Sequence, residues 1–167
     1  MKRTKLLALA LAGVMVLALL TGCSDSSSKA KQVEEYFRYR MRQFGDYQKD
    51  ETLDKKLEVI AQQFLPDWLD DRNGGLTEDA RNIIRDELSD YVIAGGVTPW
   101  VGEVKPGQSA LAQAESMKYS QGIEIYPLAS GIPILKAIAF TMTDKKSDGH
   151  RYYLALQTQA TIKTPQN

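Results

Sequence analysis

A length of 167 residues with 43% hydrophobic side chains suits one domain around a modest core and excludes two large ones. The 21 basic side chains balance 21 acidic ones, but Lys2, Arg3 and Lys5 lie in an acid-free stretch up to Gly22; beyond it 18 basic and 21 acidic residues are scattered among one another, which excludes nucleic acid as an expected partner. One Cys and one His exclude an intrachain disulfide and a multi-histidine metal centre, so no cofactor or metal is expected.

The chain opens on Lys2-Arg3-Thr4-Lys5, continues through an apolar run from Leu6 to Leu20, and reaches small residues Thr21 and Gly22 before Cys23. This is the pattern of a secretory signal, and its apolar run of about 15 residues is short of the roughly 20 that span a bilayer. Leu20-Thr21-Gly22-Cys23 resembles the lipobox of bacterial lipoproteins at all four positions. The resemblance implies that Cys23 receives a thioether-linked diacylglycerol and that a peptidase cuts between Gly22 and Cys23. Residues 1–22 are then a signal peptide, and the membrane is a partner through lipidated Cys23. Two or more acyl chains, each CH2 contributing about 0.8 kcal/mol on burial, make a stable anchor. The resemblance further implies an extracytoplasmic location: the outer membrane of a Gram-negative cell, since Ser24 rather than Asp follows the Cys, or the outer face of a Gram-positive cell membrane. Ser24 to Lys29 carries no apolar side chain, so residues 23–29 read as a polar tether.

Three helices are expected next. Val33, Tyr36, Phe37, Met41 and Phe44 recur at helical spacing, and Gly45 ends that stripe. Thr52 can cap a second helix through Leu53, Leu57, Ile60, Ala61 and Phe64, stopped by Pro66. A third begins after Thr77, carries Glu78 and Asp79 at its positive end, and runs through Ala80, Ile83, Ile84, Leu88, Tyr91 and Val92 to Gly95-Gly96.

Beyond Gly96 the period becomes twofold. Trp100 to Val104 reads as a short strand, Ser109 to Ser116 fits neither pattern, and Met117, Tyr119, Ile123 and Ile125 share one parity of a longer strand ending at Pro127. The strand through Ile134, Ile138, Phe140 and Met142 is apolar on its other face too, at Leu135, Ala137 and Ala139, and is expected to be central. Asp144 to Gly149 is a polar turn, after which Tyr152, Leu154, Leu156, Ala160 and Ile162 complete a long hairpin.

The expected fold class is α+β: about three N-terminal helices packed on one face of a curved antiparallel sheet of about four strands, forming a single domain over residues 30–163 with a tail at 164–167. This element order resembles the NTF2-like cone-shaped domains. The resemblance implies a pocket between sheet and helices, used in that family for small ligands, partner contacts or catalysis.

Catalytic constellations are sparse. His150, after Asp148-Gly149, belongs to a solvated turn, and Ser130 lacks a nucleophile elbow. Asp67, Asp70, Asp71 and Asn73 precede Gly74-Gly75, but the spacing fails an EF-hand loop at both ends. Glu103, Glu115 and Glu124 could supply paired carboxylates only if the fold brought two of them together. Trp100 after Pro99 and Tyr126 before Pro127 sit at strand ends, where a rigid backbone can hold an aromatic ring at a cavity mouth, and are the candidates to border a cleft for a ligand or partner. The expected function is a lipid-anchored lipoprotein whose domain binds an envelope protein or small ligand, more as a binding module than as an enzyme. The alternative is a carboxylate-based hydrolase of envelope glycans.

Overall fold

The computed structural model describes residues 26–70, 72, 74–127 and 134–162. Gly22 and Cys23 lie outside these residues, as do Asp71, Asn73 and Ser130. Helix α1, Ser26–Met41, begins inside the segment expected as tether. Its residues Val33, Phe37 and Met41, four apart, are fully buried. After Met41 the chain tightens into a 3-10 turn, Arg42–Phe44, and leaves it at Gly45 with φ 143. That change of pitch takes Phe44 off the core stripe on which the sequence placed it, and it is 57% exposed.

Helix α2, Glu51–Gln63, buries Leu53, Leu57, Ile60 and Ala61 as expected, but its cap is Asp50 rather than Thr52: Asp50 Oδ1 accepts from the Leu53 N–H at 2.8 Å. Helix α3, Glu78–Leu88, is capped by Thr77. It stops short of the expected Gly95-Gly96, because the β-branched and aromatic run from Tyr91 joins strand β1, Val92–Glu103. Gly95 is no helix terminator; it has φ 109 at a register shift in β1, where a Cβ would lie 2.5 Å from the Gln159 carbonyl oxygen.

The ambiguous segment forms helix α4, Ala110–Ser116, capped by Ser109. The single strand expected from Met117 to Ile125 is two: β2, Lys118–Tyr119, and β3, Ile123–Tyr126. Both pair with β1, and the break lies opposite Pro99. The Pro99 carbonyl accepts from the Ser120 N–H at 2.8 Å, but its nitrogen, on the same side of the strand, has no hydrogen to return. Strands β4, Leu135–Met142, and β5, Tyr152–Ile162, form the expected hairpin.

The result is an α+β domain on a curved five-stranded antiparallel sheet, with β5 and β1 at its centre, β4 on one edge, and β2 and β3 sharing the other. Strand β4 was expected inside the sheet; it is an edge, protected where the Gln48 N–H donates to the Lys136 carbonyl and the Gln48 carbonyl accepts from the Ile138 N–H. Its two apolar faces have another cause. Ala137 and Ala139 join a core under α2 and α3, whereas Ile138, Phe140 and Met142 join a second core under α1 and α4. The helices therefore divide between the two faces of the sheet rather than gathering on one. Burying apolar residues at both parities of β4 and β5 requires this division.

Candidate functional site: an uncovered half of the sheet

The interface between the sheet and α2 with α3 is filled. Where Leu57, Phe64, Trp68 and Leu154 meet, the cavity is about 10 Å3, at the lower limit for a single water. The opposite face is different. Among the described residues, helix α1 and the seven-residue α4 cover only the part of it that carries Trp100, Ile138, Phe140, Tyr153 and Ala155.

Where that cover ends, the side chains on the same face turn polar. The register aligns Glu124, Gly96, Gln159 and Lys136 in one row across β3, β1, β5 and β4, and aligns Thr98 with Gln157 in the next. With Tyr47 as a wall, Glu124, Gly96, Gln159, Thr98 and Gln157 enclose an open trough of about 410 Å3, and Lys136 lies outside its lining. Gly96 lowers its floor without being forced to be glycine: a Cβ there would meet only the Ile123 carbonyl oxygen, at 3.5 Å. Gly122 likewise offers no side chain to fill the space. Three strand spacings, about 14 Å, separate the strand positions of Glu124 and Lys136, and the Lys136 ammonium lies beside Gly45, where a Cβ would stand 3.1 Å from Nζ.

Gln157 organises the floor. Its Oε1 accepts from the Trp100 indole N–H at 3.1 Å, and its Nε2 donates to the Tyr47 hydroxyl at 2.5 Å. An indole N–H can only donate, so the amide orientation is fixed, and the Tyr47 O–H remains free to donate into the trough. Gln159 and Thr98 make no side-chain hydrogen bond among the described residues. The trough thus presents amide, hydroxyl and phenol groups, with the Glu124 carboxylate at one end.

Trp100 and Tyr126 do not border one cleft together. Trp100 is 7% exposed, edge-on to Phe37 at 5.4 Å and to Tyr119 at 5.6 Å, with the Arg40 guanidinium 5.3 Å from its ring. It is a core residue whose N–H end alone reaches the trough, through Gln157. Tyr126 is exposed, pairs opposite Gly95, and by alternation shares the face of Glu124. Gly95 and Trp100 stand five residues apart along β1, about 16 Å.

The other candidates separate as well. His150 Nδ1 lies 2.7 Å from Glu103 Oε1 at the hairpin end of the sheet, Glu115 lies in the last turn of α4, and of the three glutamates Glu124 alone reaches the trough. Asp70 is held by Arg72, whose side chain and backbone N–H keep the carboxyl below its usual range. Among the described residues no three His, Cys, Asp or Glu side chains are placed to hold a metal ion, and no helix is long and apolar enough to cross a membrane.

No protein family, no curated protein and no solved structure matches the chain. Tyr47, Thr98, Gln157 and Gln159 are site residues that the sequence reading missed. Their signal is on β5, where one parity runs Tyr153, Ala155, Gln157, Gln159 and changes from apolar to polar where the helix cover stops.

Proposed function

We propose that the chain is an extracytoplasmic lipoprotein held to the membrane by acyl chains on Cys23, whose α+β domain binds a hydroxyl- and amide-rich envelope ligand, a glycan or peptide segment, in the trough. The observation that carries the binding reading is the polar row Glu124, Gly96 and Gln159 on a sheet face that the described helices leave open. A sheet face left bare by its helices and lined with amides offers paired donors and acceptors to an extended polar ligand, and the absence of a Cβ at Gly96 lets that ligand approach the backbone. Glu124 is the one carboxylate on the trough among the described residues, which favours binding over two-carboxylate hydrolysis. The anchor is supported by Leu20-Thr21-Gly22-Cys23.

The test is calorimetric titration of the mature protein in detergent with soluble glycopeptide fragments of the cell wall. Binding that weakens about tenfold or more in Gln159→Ala and in Gly96→Val, with melting unchanged or raised, is expected. Absence of binding to glycan and peptide fragments alike overturns the ligand class, and binding indifferent to both variants overturns the site.

A further inference from the structure

Counted by element, the charges of this chain are segregated. Between Ser26 and Phe44 there are five basic and two acidic side chains; between Gly45 and Ile162 there are 12 basic and 18 acidic ones. The basic segment is α1 with its 3-10 extension. Of its cations, Arg38 pairs with Glu34, and Arg40 donates to the Ala114 carbonyl while lying over Trp100. Lys31 and Arg42 are exposed and make no ion pair among the described residues.

The same surface is aromatic. Tyr36, Tyr39 and Phe44 are 44%, 71% and 57% exposed, and Leu111 of α4 is 47% exposed beside them. Tyr36, Tyr39, Arg40, Arg42 and Leu111, with the single carboxylate Glu115 among the described residues, line one open groove of about 590 Å3 between α1 and α4, and the Arg42 guanidinium lies 6.0 Å from the Tyr39 ring centre. Amphipathic rings beside unpaired cations are the composition of a bilayer interface, where rings sit at headgroup depth and cations meet lipid phosphates.

The covalent geometry selects the occupant. Only Ser24 and Asp25 separate Cys23 from Ser26, so an anchored Cys23 holds the start of α1 within about 10 Å of the acyl attachment. Helix α1 has 16 residues and is about 24 Å long, which places Tyr39 and Arg42 near its far end. A lipid at one end of a rod leaves the rod free to swing; a second contact at the other end lays it down.

We propose that the outer face of α1, with Leu111 of α4, docks on the anionic membrane surface that carries the Cys23 anchor. This rests in part on the lipoprotein reading. The trough opens on the same side of the sheet as α1, so docking sets its mouth about one helix diameter, roughly 10 Å, above the headgroups. Its ligand is then one that reaches the bilayer surface.

The test uses the mature protein purified from membranes, with one added thiol at Gln43→Cys in the groove or at Asp86→Cys on exposed α3. Cys23 is the only native cysteine, so once acylated it leaves the added thiol as the sole site for a polarity-sensitive dye. Each protein is floated with neutral phosphatidylcholine vesicles and with vesicles enriched in anionic phosphatidylglycerol. Expected is flotation with both, with dye at residue 43 entering an apolar environment on anionic vesicles and dye at residue 86 staying in water. Replacing Lys31 or Arg42 with Gln should lower the docked fraction's ratio about fivefold per charge, and added salt should do the same. Flotation on both vesicles with dye at residue 43 still in water leaves the anchor standing and overturns docking. Flotation on anionic vesicles alone, with the residue 43 response, overturns the anchor and supports docking; no flotation on either overturns both.

Discussion

Two adjacent glycines in β1 are expected to respond in opposite ways to a side chain. At Gly95, φ is 109, and a Cβ would stand 2.5 Å from the Gln159 carbonyl oxygen and 2.7 Å from Ala160 Cα, both backbone of the neighbouring strand. Gly95→Ala therefore combines a left-handed backbone penalty of about 1 to 3 kcal/mol with a clash that β5 must move to relieve, for a total of about 2 to 4 kcal/mol. For a domain of this size that is a fall in Tm of roughly 6 to 15 °C. At Gly96 the nearest atom to a new Cβ is 3.5 Å away, an ordinary contact. Gly96→Val there restricts the unfolded chain and suits a strand, so it should be neutral or stabilise by up to about 1 kcal/mol. The valine methyls rise from the trough floor between Glu124 and Gln159, so ligand binding should fall although the fold is intact. Urea and thermal unfolding of both variants, with calorimetry on Gly96→Val, make the check. Equal destabilisation by the two substitutions would refute the placement of the register shift at Gly95 and the open floor at Gly96.

Trp100→Ala should cost about 3 to 5 kcal/mol, since it removes a buried ring packed on Phe37 and Tyr119, whereas Tyr126→Ala should stay within about 0.5 kcal/mol; chemical denaturation separates them. Asp50 both caps α2 and accepts from the Tyr91 hydroxyl at 2.7 Å, so Asp50→Ala should cost about 2 kcal/mol by the same measurement. Burial, then hydrogen bonding to Asp50, raises the Tyr91 phenol above its ordinary value, and burial with Asp148 does the same for Tyr152. A raised folded-state value means that this stability is whole below the unfolded phenol's range near 10 and is lost as pH climbs beyond it. Urea midpoints taken at neutral and strongly alkaline pH should fall less for Tyr91→Phe than for the parent. The Asp148 carboxyl is lowered by the Tyr152 hydroxyl and the His150 N–H, so its contribution holds above the unfolded carboxylate's value and is lost on acidification. Asp148→Asn should flatten that acid limb of the stability profile.

The class of the fold was readable because periodicity is set by burial. The stripes Leu53, Leu57, Ile60 and Val33, Phe37, Met41 are core in the structure as in the sequence. The layer order was harder to read. Apolar residues on both faces of β4 suggested a central strand, when the cause was a helix layer on each side of an edge strand. Gly95-Gly96 looked like a helix stop because sequence alone does not distinguish a glycine needed for positive φ at a bulge from one needed at a helix end. The break between β2 and β3 was legible in principle, since Pro99 lacks the donor that continuous pairing would use, but it acts on a segment 20 residues away. The trough was hidden for a related reason. Gln157 and Gln159 read as the polar parity of an ordinary exposed strand, and only the register with Gly96 and Lys136 shows that Tyr153 and Ala155 of that same parity are buried.

The two tryptophans of this chain lie on opposite faces of its sheet, which gives the central claim an internal control. The Trp100 indole N–H is bonded to Gln157 on the trough floor, while Trp68 packs on Phe64 beneath α2. In a nitrogen–proton correlation spectrum of the mature protein each indole gives its own signal. Titration with soluble cell-wall glycopeptide fragments should move the Trp100 signal with the Gln157 and Gln159 side-chain amides, and leave Trp68 in place. A ligand that binds and leaves Trp100 and both glutamines unmoved, or shifts Trp68 instead, would contradict binding in the trough.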